Sequence, residues 1–132
     1  MRNLLISLFL ILGGCAAAGA DGHRMGGVEW RASDINGIPV GAGARITLRL
    51  GDNQSVSGSA GCNSYSGQYR TMSKMGIRFS GINSTLMACA PEVMDQEKRF
   101  LSILNSVEGY SFYSDGGLSL ISPDGRAIRF RR

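Results

Sequence analysis

Gly61-Cys62-Asn63-Ser64-Tyr65-Ser66-Gly67-Gln68-Tyr69 is answered further along the chain by Thr85-Leu86-Met87-Ala88-Cys89. These two stretches hold the only cysteines beyond the first fifteen residues. Tyr65 and Tyr69 sit at a spacing that lets both pack on a strand, with their hydroxyls satisfied at its margin. Asn63 and the glycines tolerate left-handed turn geometry. An amide, phenols and a glycine beside paired cysteines also suit a pocket, so Asn63, Tyr65, Gly67 and Tyr69 are candidate binding residues. In an exported chain, Cys62 and Cys89 read as a disulfide. Across 27 residues (89 − 62), such a bond stabilises by about 3.5 kcal/mol in the loop-entropy model. Two buried reduced thiols, or a redox pair lacking CxxC spacing, are the rival readings.

Outward from this block the pattern is mostly of period two. Ile46-Thr47-Leu48-Arg49-Leu50 alternates, Gly51-Asp52-Asn53 turns, residues 54–60 return as a small-residue strand, and Met75-Gly76-Ile77-Arg78-Phe79 alternates again. Such runs are half-buried antiparallel strands. Residues 28–35 open the domain with the only tryptophan, Trp30, a core residue, and run into the turn signal Asn36-Gly37. Near the end, residues 110–113, 118–121 and 127–130 are divided by Asp115-Gly116-Gly117 and Pro123-Asp124-Gly125, the pattern of a meander. One segment changes period. After Pro91, the residues Val93, Met94, Phe100, Leu101 and Leu104 fall at helical spacing, with Gly109 beyond the end. Glu97 lies on that apolar side, either at the margin of the stripe or buried with a partner.

The N-terminus has a different character. Arg2, a run of mostly aliphatic residues over 4–12, and Gly13-Gly14 before Cys15 make an export signal over residues 1–14. The apolar run is too short to span roughly 30 Å of hydrocarbon as a helix. Small residues before Cys15 resemble a lipobox, so Cys15 is expected to carry acyl chains after cleavage; a plain cut near Ala18 is the alternative. Ala16 after the cysteine points to the outer membrane, facing the periplasm, under the enteric sorting rule. Residues 15–27 read as a Gly/Ala-rich tether with a root-mean-square reach of roughly 20 Å, and 28–132 as the domain.

Composition narrows the chemistry. The chain holds 14 Lys+Arg and 10 Asp+Glu, an excess too small to argue for nucleic acid. Arg126, Arg129, Arg131 and Arg132 gather positive charge at the C-terminus, either as a solvated strand edge or as a site for anionic lipid or another polyanion. His23 is the only histidine and lies in the tether. No metal set, no cofactor motif and no Ser-His-Asp or Cys-His arrangement is readable. The chain is expected not to be an enzyme.

The ordered set Trp30, Ile35-Asn36-Gly37, Ser57-Gly58-Ser59-Ala60-Gly61-Cys62-Asn63, Tyr65, Gly67, Tyr69, Thr85, Met87-Ala88-Cys89, Met94, Glu97, Phe100, Leu101, Leu104 and Asp124-Gly125 resembles the META domain family, that of heat-shock HslJ-like lipoproteins. The resemblance implies an α+β fold: a strongly curved antiparallel sheet or open barrel of about seven to eight strands, with one packed amphipathic helix. It marks Glu97, and so favours a structural partner for that carboxylate. It links the chain to stress response and tolerance, and a likeness to secretin pilot lipoproteins suggests an interaction role by analogy. It carries no catalytic residues over. The expected function is binding or stabilising another envelope component. The alternative is a carrier of a small hydrophobic ligand or acyl chain in the mouth of the sheet, near Met75, Met87 and Met94.

Overall fold

The structure, a computed structural model, describes residues 25–132. The export signal, Cys15, His23 and most of the tether lie outside the described residues.

Strand β1 (Glu29–Ile35) buries Trp30, Ala32 and Ile35, the alternation slipping by one at a register shift after Ala32, and ends at Asn36-Gly37. Both turn residues have positive φ, 52° and 81°, as a type I′ hairpin requires, and Asp34 Oδ1 accepts the Gly37 N–H at 3.1 Å. The hairpin returns as the two-residue β2 (Ile38–Pro39). Then come β3 (Thr47–Leu50), β4 (Ser55–Ser59), β5 (Ser64–Met72), β6 (Gly76–Ser84), helix α1 (Pro91–Leu104), β7 (Gly109–Phe112), β8 (Leu118–Ile121) and β9 (Ala127–Arg131). All nine strands form one antiparallel sheet, and β1 pairs with β9 as well as β3, so the sheet curves into a ring. The final meander and the helix fall where the sequence places them. The strand count exceeds the expected seven to eight only through β2, which pairs with β1 alone and stands outside the ring.

Trp30, Leu48, Phe100, Leu118, Leu120 and Ile128 are fully enclosed within the ring. Helix α1 lies across the end that carries the β4–β5 and β8–β9 turns: Glu97 meets Asn63, and Arg126 reaches Ser102. Pro91 occupies its first turn, where a missing N–H costs nothing. Its other end is closed by Asn105, whose amide side chain and backbone N–H both donate to the Leu101 carbonyl. Gly109 lies beyond that end, where the sequence places it, and opens β7.

The core also begins earlier than Val28. Met25, read as tether, is 1% exposed. Its carbonyl accepts the Trp30 indole N–H at 3.0 Å, and the Gly27 N–H donates to the Leu50 carbonyl at 3.1 Å. One methionine among glycines and alanines has no period to read, so only the tertiary contact reveals it.

Candidate functional site

Cys62 and Cys89 are joined by a disulfide, with Cα atoms 6.0 Å apart. Beside it, Asn63 holds the turn, the loop and the helix together. Its Nδ2 donates to Glu97 Oε2 at 2.7 Å and to the Met87 carbonyl at 3.2 Å. Its Oδ1 accepts from the Thr85 hydroxyl at 2.8 Å and the Met87 N–H at 2.6 Å. Its own backbone N–H donates to Glu97 Oε1 at 2.6 Å. The amide thus uses both donors and both lone pairs, its full capacity. Glu97, 5% exposed, belongs inside the domain with a partner and not at the stripe's margin.

Tyr65 points the other way, into the ring. Its hydroxyl donates to the Thr47 carbonyl at 2.7 Å, and its ring meets Phe100 at 5.5 Å between centroids. Burial pushes its ionisation well above the ordinary tyrosine range. The Thr47 carbonyl also explains Gly58: a Cβ there would lie 2.1 Å from that oxygen. Gly67 sits at a register break between β5 and β6, where a Cβ would come within 2.6 Å of Ile82. Tyr69 is half-buried and lines an open hollow with Gly26, Gly27, Arg49, Leu50, Gly51 and Asp52. Asn63, Tyr65 and Gly67 are not among the residues around that hollow, so the four candidate binding residues do not converge on it.

The clasp presents residues 85–90 to solvent. Leu86 is 96% exposed and Met87 57%, although the Met87 backbone is fixed on both sides by Asn63 and the Cys89 disulfide lies two residues on. Met75 is exposed on the β5–β6 turn and Met94 half-buried on α1, so the three methionines do not form one mouth. Among the described residues, no group of three or more His, Cys, Asp or Glu could hold a metal, and no helix is long and apolar enough to cross a membrane. Sequence reasoning missed the loop's exposure and the gathering of Arg31, Arg45 and Arg49 with Arg131 and Arg132. The charges of the last two were visible; their neighbours were not.

A ring-shaped antiparallel sheet closed at one end by a single helix, with a disulfide and a buried Asn–Glu pair locking helix to sheet, defines a small α+β domain of a particular kind. The chain belongs to the META domain family, which matches residues 23–132. It is similar in fold to a protein from Burkholderia xenovorans solved by NMR (TM-score 0.68, 23% identity, 95% of this chain and 98% of that one). A second NMR structure is similar at TM-score 0.66 and 20% identity over 83% and 92% of the two chains. A crystal structure of a DUF4847 family protein from Bacteroides vulgatus is similar at TM-score 0.60 and 16% identity over 85% and 96%. No curated protein matches the chain.

Proposed function

We propose that the chain is a non-enzymatic lipoprotein of the bacterial envelope, anchored through Cys15, whose META domain binds or stabilises another envelope component under stress. The observation that carries this reading is the fixed apolar loop at Leu86 and Met87. Leaving apolar side chains in water on a backbone that cannot fold back is unfavourable for an isolated domain. The same feature lowers the entropic cost of docking. Among the described strands, β2 ends the sheet and β6 meets β7 only at Gly76 and Gly109, so a partner added as an extra strand is confined to those edges. The interior is filled by core side chains, and no observation favours the carrier reading.

Two measurements test the proposal. A photo-cross-linking residue in place of Leu86, activated in intact envelopes, should yield a protein adduct; monomer alone, with and without stress, would overturn the binding role. The intact mass of protein from native membranes should correspond to a chain beginning at Cys15 plus acyl groups. An unacylated chain cut near Ala18 would remove the anchor.

A further inference from the structure

The outer wall formed by β9, β1 and β3 carries an arginine face. Arg31 and Arg131 stand directly opposite each other across β1 and β9, and Arg49 stands opposite Glu29 across β1 and β3. Arg31, Arg45, Arg131, Arg132 and Glu29 line one open hollow of about 530 Å³. Glu29 is the only acidic side chain in that lining, and it is shared: it pairs with Arg45 and lies 3.8 Å from Arg31 Nε. Arg131 has no salt bridge to any described residue. Like charges on facing strands raise the energy of the bare sheet. The β5–β6 pair Arg70 and Arg78 shows the contrasting solution, because Glu108 lies 3.2 Å from Arg78.

The position of this face matters as much as its charge. The described chain enters the domain at Gly26, bridged to Leu50, and the Gly27 carbonyl lies 3.4 Å from Arg49 Nη1. That point is at the end of the ring away from α1. Ten residues (25 − 15) separate Met25 from Cys15, and ten residues span at most about 35 Å. A membrane holding Cys15 is therefore within reach of the arginines.

We infer that the Arg31–Arg45–Arg49–Arg131–Arg132 face binds the phosphate groups of anionic phospholipid headgroups, laying the β9–β1–β3 wall on the membrane surface and turning the Leu86 loop away from it. The inference rests on the Cys15 anchor only for the nearness of that surface. Its test needs no acyl chain. The chain from residue 15 onward, with Cys15→Ser, retains every described residue and is mixed with phosphatidylcholine vesicles containing about one-third phosphatidylglycerol. Sedimentation should show binding that pure phosphatidylcholine does not support and that half-molar salt removes.

Arg31→Gln with Arg131→Gln should weaken binding roughly 25-fold, at about fivefold per arginine near an anionic surface. Arg70→Gln with Arg78→Gln removes the same charge elsewhere and should change it less than about twofold. Absent binding, equal binding to phosphatidylcholine, or equal losses in the two double variants would overturn the inference. Because the anchor is decided separately by native mass, failure of the face and failure of the anchor give different results.

Discussion

Asn63 is the residue on which the clasp depends, since each of its side-chain hydrogen-bonding positions has a protein partner. Asn63→Ala would leave Glu97 Oε2 buried without its Asn63 donor, and would release the Thr85 hydroxyl and the Met87 backbone together. A loss of about 3 kcal/mol is expected, read as a lower urea midpoint at unchanged slope. Asn63→Asp should be at least as harmful, because it turns an acceptor toward Glu97. Tyr65 predicts a pH effect. Unfolded tyrosine ionises near pH 10, while burial holds the folded hydroxyl protonated well beyond that. Stability is therefore intact below about pH 10 and falls as pH rises further. Tyr65→Phe should cost about 1 kcal/mol at neutral pH and flatten the alkaline decline in thermal unfolding. Both residues were conspicuous in the sequence, but their roles were not. An amide and a phenol beside a cysteine suit a pocket or a clasp equally well, and the choice is made by Glu97, 34 residues from Asn63.

The loop and the helix are separate elements that the disulfide and Asn63 make into one unit. Reduction should lower stability by about 3.5 kcal/mol for a 27-residue separation, measured by denaturant titration with and without reductant. It should also raise amide exchange across residues 85–90 first. Leu86→Ser makes the complementary case. With the side chain already in water, it should change stability by less than about 0.5 kcal/mol, yet abolish the envelope adduct formed when the photo-cross-linking residue is placed at the neighbouring exposed Ala88. Helix α1 was readable because five apolar residues held one stripe after Pro91. The meander was readable because Asp-Gly and Pro-Asp-Gly steps divide short apolar runs. β5 was harder to delimit, since its nine residues contain Gly67 and a register break. Neither propensity nor alternation survives such a break intact.

At the scale of the whole molecule, the ring gives the domain two unlike ends. Chain entrance and arginines lie toward one, and the helix, the disulfide and the exposed loop toward the other. The curvature came from family resemblance and not from the strand pattern, because period two tells which face is buried and says nothing about which strand meets which. The β1–β9 pairing that gathers the arginines joins Arg31 to a residue 100 positions away (131 − 31), beyond any local signal. Removing residues 126–132 should leave β1 and β8 with unpaired edges, and the shortened protein should self-associate in sedimentation velocity. On the proposed export route, with the N-terminus leading, the same pairing would set a timetable. β1 reaches the far side early and has no closing partner until the last few residues have followed, so contacts of this separation form late and all together. On that route maturation would be a single event at the end of transit, and any guardian of the translocating chain would have to hold it until its final strand arrived.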